Sequence, residues 1–148
     1  MDFEPLRAGL EQAVPFNTHL GLVVDEVSLG RGVVTLPDDA ALRNHTGSQH
    51  ASALFAAGQA ASGAALAAVF VRQLPHLELL PQGAQVTYNK ISRGAITATG
   101  VLGSDPDALL EELAREGCVE FSVDVSLTDG AQEVVAELTV RWLVRRED

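Results

Sequence analysis

The feature that most constrains the fold is a run without a single formal charge, from Ala51 to Val71. Roughly half of it is alanine, and its only large apolar residues are Leu54, Phe55, Leu66, Val69, Phe70 and Val71. The length alone admits a membrane span. The alanine content and the polar Ser52, Gln59 and Ser62 argue against one, and strand-like segments flank the run on both sides. A buried central helix is the better account, thin enough for other backbone to approach closely. The loop before it, Asn44-His-Thr-Gly-Ser-Gln-His50, is polar and carries a glycine. A helix start exposes unpaired N–H groups and the positive end of the helix dipole. Loop and helix start together make a place that receives an oxygen or an anion.

The rest of the chain supplies a sheet for this helix. Leu6, Leu10, Ala13 and Val14 give residues 4–14 one apolar side, which predicts a short N-terminal helix ended by Pro15. Residues 22–29 and 32–36 read as strands joined by hairpin chemistry at Gly30-Arg31-Gly32. After the helix, Pro75 and Pro81 punctuate a link to strands over 83–91 and 95–102, with Arg93-Gly94 near the turn. Ser104-Asp105-Pro106 is a helix start, and Gly117 its stop. Strands over 119–127 and 133–144 close the chain around a turn at Thr128-Asp129-Gly130. In the first of them Phe121, Val123, Val125 and Leu127 alternate with Glu120, Ser122, Asp124 and Ser126. The order predicts an α+β fold: one domain over residues 1–148, an antiparallel sheet with a long helix on its inner face.

Composition sets outer limits. The net charge of -10 argues against a nucleic-acid partner. A single cysteine, Cys118, forms no intrachain disulfide and suits a reducing, cytoplasmic setting. Met1-Asp-Phe-Glu-Pro lacks the basic and apolar regions of a signal peptide. His45 and His50 are not at metal-ligand spacing, His19 and His76 lie far off in sequence, and no metal is expected.

Several motifs in this order carry a resemblance. They are Pro15-Phe16 and Leu20-Gly21, then Asn44-x-x-Gly47-x-x-His50-Ala51 at the helix mouth. Val86-Thr-Tyr88, Arg93-Gly94 and Asp129-Gly130 follow. The chain resembles the hotdog-fold thioesterases, in particular the PaaI-like group and its YiiD C-terminal-domain-like relatives. The small helix over 105–115 matches an insertion between strands in the YiiD-like branch. The resemblance implies a sheet wrapped around the long helix, with that small helix between the fourth and fifth strands. It also implies a homodimer, possibly a dimer of dimers, and acyl-CoA hydrolysis at the dimer interface. Coenzyme A would enter as part of the substrate, and no other cofactor is implied. One departure stands out. PaaI-like enzymes carry an Asp or Glu nine residues after the motif histidine, and here that position is Gln59. A carboxylate serves as nucleophile or general base; a neutral amide only orients.

Residue by residue, each candidate has a plain reading beside the functional one. N–H groups around Ala51 would polarise a thioester carbonyl, or be capped by Ser48 or water. Ser52, Gln59 and Ser62 share a helical stripe; they would meet ligand, or bond neighbouring backbone or a partner subunit. Asn44 and His50 would hold the loop or the substrate, and His50 would serve as base only where it is not fixing the loop. Lys90, the only lysine, and Arg93 are the only charges between Glu78 and Asp105. This local +2 would meet the phosphates of coenzyme A beside Gly94, or be a solvated strand end. Tyr88 and Asn89 would line the same channel. Cys118 has no visible activating base.

The expected function is therefore acyl-CoA thioester hydrolysis, with Asn44, His50, Ala51 and Gln59 at the reaction centre. Ser62, Tyr88, Asn89, Lys90, Arg93 and Gly94 would bind substrate or coenzyme A. The alternative is a non-catalytic acyl-ligand binder, which the missing carboxylate allows. Hydratase chemistry needs an acid–histidine pair, and Asp38 or Asp39 with His45 or His50 makes no persuasive one.

Overall fold

The computed structural model describes residues 1–148. Helices α1 (Glu4–Ala13) and α2 (Pro15–Leu20) lead into strands β1 (Val23–Ser28) and β2 (Arg31–Leu36). The long helix is α3 (Ala51–Ala67). After it come β3 (Leu77–Tyr88), β4 (Ile96–Leu102), α4 (Pro106–Glu116), β5 (Cys118–Thr128) and β6 (Val134–Arg146). The six strands form one antiparallel sheet in the order β1-β2-β4-β5-β6-β3, with α3 against β2, β4 and β5. This is the hotdog arrangement, an α+β fold with α4 inserted between the fourth and fifth strands.

The sheet approaches α3 backbone to backbone. A Cβ on Gly32 would stand 2.5 Å from the Ala64 Cβ, and one on Gly100 would stand 2.7 Å from the Ala61 carbonyl oxygen. Only glycine fits at either position, so β2 and β4 sit closer to the helix than side chains allow. The alternation in β5 delivers Phe121, Val123, Val125 and Leu127 to the core, where the Phe121 ring stacks on Phe70 at 5.9 Å. On α4, Leu109 and Leu113 are buried, and Gly117 ends the helix at φ 78°. The Arg146 guanidinium donates to the Leu113 and Ala114 carbonyls at 3.0 and 2.8 Å, placing a cation at the negative helix end.

Three local expectations are corrected. Pro15 does not merely end a helix: it opens α2, where its missing N–H costs nothing. Pro81 is not part of a link. It lies inside β3 opposite Trp142, and the register slips between Pro81 and Gly83. Proline is tolerated there because β3 is an edge strand and carries the irregularity. Nor are β3 and β4 a hairpin; β3 pairs β6, while β4 lies between β2 and β5.

Helix α1 buries no residue fully, yet it is held in place. The Arg7 guanidinium donates to the Val24 carbonyl at 2.7 Å and pairs with Glu4 and Glu11 at 2.7 and 2.9 Å. Its hydrogen bond to Glu4 holds that carboxyl below the ordinary carboxylate range.

Candidate functional site

The loop before α3 is closed by Asn44. Its Oδ1 accepts from the N–H and hydroxyl of Thr46 and from the N–H and hydroxyl of Ser48, at 2.8–3.1 Å. That oxygen is fully committed to the loop. Gly47 completes the turn at φ 77°. His50 is the N-cap residue of α3, and its Nδ1 accepts from the Ser52 N–H at 2.9 Å. The imidazole proton therefore sits on Nε2, and the ring fixes the helix start. The N–H groups of Ala53 and Leu54 bond the His50 carbonyl at 3.0 Å each. Among these first helical donors only the Ala51 N–H lacks a protein acceptor, and Ala51 is exposed. The Tyr88 hydroxyl, from β3, donates to the Ala51 carbonyl at 3.1 Å and ties the edge strand to the same turn.

Along the side of α3 turned away from β2 and β4 runs a groove of about 730 Å³, within the range of ligand sites. Its floor is the small-residue side of the helix, including Ala56, Ala60 and Gly63. One wall comes from Leu10, Val14 and Phe16, and the other from Leu74, Leu79 and Trp142. No charged side chain lines it. Gln59 is half-buried in its middle, and Ser52 lies toward the helix N-terminus. A smaller cleft of about 180 Å³, shared through Phe16 and Ser52, continues toward His50 and Arg43.

Ser62 departs from the stripe read in the sequence. Its hydroxyl is fully buried, donates to the Gln59 carbonyl at 2.7 Å and accepts from the Trp142 indole N–H at 3.1 Å. No part of it is left for a ligand; it fixes the tryptophan that walls the groove. On a helix, residues 52 and 59 lie within about 20° of each other, while 62 is turned about 60° further. The boundary between groove and core falls in that step.

The pair of cations also divides. The Lys90 ammonium is bonded to Glu133, with Asp129 at 3.4 Å, so its charge is already matched. Arg93 is exposed and has no carboxylate partner; its Nη1 lies 3.4 Å from the Gly47 carbonyl, over the loop that leads into α3. The +2 of the sequence is thus, in three dimensions, one unmatched guanidinium beside the helix mouth. Asn89 is exposed, and its N–H donates to the Val135 carbonyl at 2.8 Å. Gly94 takes φ 77° and offers its carbonyl to Gln49. No three His, Cys, Asp or Glu side chains lie together as a metal would need.

Gln49 is the site residue that sequence reasoning missed. It is 4% exposed, and its Nε2 donates to the Pro37 and Gly94 carbonyls at 3.0 and 2.9 Å. One amide clamps the exit of β2, the helix loop and the entry to β4. Its only sequence signal is a polar side chain directly before the cap, and nothing there marks it as buried. Phe16, Leu79 and Trp142 were missed as groove walls because they come from three distant segments. A second hollow of about 610 Å³ lies on the outer sheet face, but Asp124 and Glu137 line it and make it a poor host for an anionic ligand.

The family described as "Domain of unknown function (DUF4442)" matches residues 4–144. Comparison with curated protein sequences gives no match. Among solved structures the chain is similar to PA5026 of Pseudomonas aeruginosa, described as a protein of unknown function and probable thioesterase. The TM-score is 0.84 at 25% identity, covering 99% of this chain and 97% of that one. It is similar to the PaaI protein of E. coli, from the phenylacetic acid degradation operon, with a TM-score of 0.72 at 18% identity, covering 97% and 92%. It is also similar to SAV0944 of Staphylococcus aureus, described as a thioesterase enzyme, with a TM-score of 0.73 at 14% identity, covering 89% and 99%. The last two likenesses speak to the fold alone.

Proposed function

The chain belongs to the family described as domain of unknown function DUF4442, within the hotdog-fold thioesterase superfamily, and we propose that it hydrolyses an acyl thioester, in particular an acyl-CoA. The observation that carries this reading is a charge-free groove with the Gln59 amide at its centre and an unspent helix N–H, Ala51, beyond its mouth. The Ala51 N–H would polarise the thioester carbonyl and stabilise its oxyanion, an effect of about 2.7–4 kcal/mol per donor. Gln59 would orient the attacking water. Asn44 and His50 act indirectly, by holding the loop and the first helical turn. Arg93 would meet the phosphates of coenzyme A. Tyr88 and Asn89 would flank the same entry. No cofactor is required, and no helix is long and apolar enough to cross a membrane. The single cysteine suits a cytoplasmic setting.

This chemistry calls for two copies. Eight residues separate Ala51 from Gln59, about 12 Å along one helix, whereas an oxyanion donor must lie within about 3 Å of the reacting oxygen. Within one chain an extended Gln59 side chain and its water would have to bridge nearly all of that distance, so two chains offer both groups to one carbonyl more readily. Strand β3 ends the sheet and has an unpaired edge. Two copies joined there by a two-fold axis would run their α3 helices antiparallel. That would bring Ala51 of the partner subunit toward Gln59. Dimers would then be the working unit, and dimers of dimers a further step.

Gln59 itself supports a second reading. With an amide in place of a carboxylate, the protein would bind an acyl ligand without turning it over. Turnover of a thioester panel followed with a thiol reporter, beside binding by calorimetry, separates the two. Hydrolysis above the uncatalysed rate supports the enzyme; binding without hydrolysis supports the binder. Light scattering that gave a mass near 15.6 kDa at micromolar concentration would defeat the shared site in both.

A further inference from the structure

We infer that the groove is built for an unbranched aliphatic acyl chain of about eight to twelve carbons, lying along α3 from Gln59 toward Ala67. The inference rests on the reading that the thioester sits at Gln59.

The direction follows from polarity. On the N-terminal side of Gln59 the lining sets Asn17 and Ser52 among Phe16, Phe55 and Ala56, whereas on the C-terminal side it is Ala60, Gly63, Ala64, Ala67 and apolar walls whose one polar group, the Trp142 indole N–H, is already bonded to Ser62. A methylene chain gains nothing beside an amide and a hydroxyl, but it gains from every apolar atom it covers. The length follows from the helix. Gln59 to Ala67 spans eight residues, about 12 Å. An extended chain with bonds of about 1.5 Å advances about 1.3 Å per carbon, so nine or ten carbons fill that length.

The shape is held open by two features. Gly63 sits in mid-helix, where glycine costs about 1 kcal/mol relative to alanine. Gly32 and Gly100 are glycines because backbone crowds them, but a Cβ on Gly63 would meet only the Trp142 ring, at 3.7 and 3.8 Å. Ordinary contact there means that the protein itself does not require glycine at this position. What the missing side chain leaves is room in the groove, four residues or about 6 Å past Gln59. Trp142 faces that room with its indole N–H pinned on Ser62, so the wall cannot swing in and fill it. The absence of any charge excludes an acyl group with a distal carboxylate, whose burial would go unpaired.

Trp142 is the only tryptophan in the chain, so its fluorescence reports on groove occupancy without any need for activity. The probes are S-alkyl thioethers of coenzyme A from butyl to hexadecyl, which no hydrolase cleaves. Titration of the wild type should show affinity rising about two- to fourfold per carbon and levelling off near C10. Gly63→Leu should move the limit to about C6 and cut the preference for decyl over butyl at least tenfold. Gly63→Ala should lower the limit by one or two carbons, and the wild-type profile stands whether or not the leucine variant folds. Affinity independent of chain length, or a preference for branched or aromatic groups, overturns the inference. So does fluorescence that no thioether changes together with a Gly63→Leu protein that is monomeric by light scattering, because a second copy would then fill the groove. Turnover of the matching thioesters keeps the two proposals apart. Hydrolysis without the length profile leaves the hydrolase and removes this inference; the length profile without hydrolysis does the reverse.

Discussion

The glycines around α3 give a test in which one substitution, glycine to alanine, should act with opposite signs on opposite sides of one helix. At Gly100 the added Cβ would lie 2.7 Å from the Ala61 carbonyl oxygen and 2.9 Å from its carbon. Unstrained carbon–oxygen contacts are about 3.3–3.6 Å, so helix and strand must part by more than half an ångström. Both partners are backbone and neither has a rotamer to change. Over-packing of this kind costs about 1–3 kcal/mol, reduced by about 0.5–1 kcal/mol because alanine suits a strand better than glycine. At Gly63 the Cβ meets only the Trp142 ring at 3.7 Å, so the helix gains up to about 1 kcal/mol from the better residue. In a chain of this size one kcal/mol moves the melting temperature by about 2–4 °C. Gly63→Ala should therefore melt a few degrees above the wild type and Gly100→Ala a few degrees below it. Gly58→Ala should fall between them, since its Cβ would strike the Leu138 Cδ2 at 2.6 Å, the end of a side chain rather than backbone. The assay is circular dichroism melting at one fixed protein concentration, because association also moves the transition. A Gly63→Ala protein that melts below the wild type would show that the groove side is not open, and the acyl-chain argument would go with it. A Gly100→Ala protein within a degree of the wild type would show that the helix is not held against β4 as closely as described.

Other substitutions test the chemistry. Gln59→Glu should raise thioester turnover from a weak wild-type level with the fold retained. Partial burial raises the pKa of the new carboxyl, so the ionised form and the gain belong to the higher-pH side of the profile; a rate unchanged at every pH makes Gln59 structural. Gln59→Ala should lower turnover if the amide orients water, as single-turnover rates would show. Arg93→Ala should weaken binding of coenzyme A thioesters more than of pantetheine thioesters, with the difference shrinking in added salt, whereas Lys90→Ala should change the two alike because Lys90 is already paired with Glu133 and Asp129. Equal losses for both ligands in Arg93→Ala would remove it from the phosphate site. Ser62→Ala strands the Trp142 N–H in the core and should cost about 1–3 kcal/mol in chemical denaturation; a neutral effect would mean that Trp142 finds another acceptor and is free to move.

Much of the fold was legible because it is written in local pattern. The period-two alternation of β5, the turn glycines and the charge-free run each name an element without reference to any other. The misreadings arose where a residue's meaning depends on its place in the sheet. Pro81 looks like a break until β3 is known to be an edge strand with an irregular register. Lys90 looks like a free cation until β6 closes its hairpin and brings Glu133 against it, 43 residues away. The helix mouth was legible because the cap, the loop and the unspent N–H all lie within a few residues of Ala51. The groove was not, since Leu10, Leu79 and Trp142 meet only after the sheet has wrapped.

Helix α3 shows why those two kinds of information diverge. Its sequence is almost uniform in size, and no periodicity separates the side that meets the sheet from the side that meets the groove. The separation is made by partners. Toward β2 and β4 the helix meets strand glycines, where an added Cβ on Gly32 or Gly100 would stand 2.5–2.7 Å from Ala64 or Ala61, so any enlargement at that contact is resisted. Toward the groove nothing in the chain resists until the Trp142 ring, and Trp142 is held back by Ser62, a residue of the same helix. The hydroxyl that looks like one more member of a polar stripe thus fixes the width of the cavity in which Gln59 stands, and through its bond to the Gln59 carbonyl at 2.7 Å it couples that width to the turn carrying the amide. If Ser62→Ala shifts the acyl-length profile together with Gln59-dependent turnover, wall and amide act as one unit; if only stability falls, Ser62 is a core hydrogen bond and the groove owes its width to Gly63 alone.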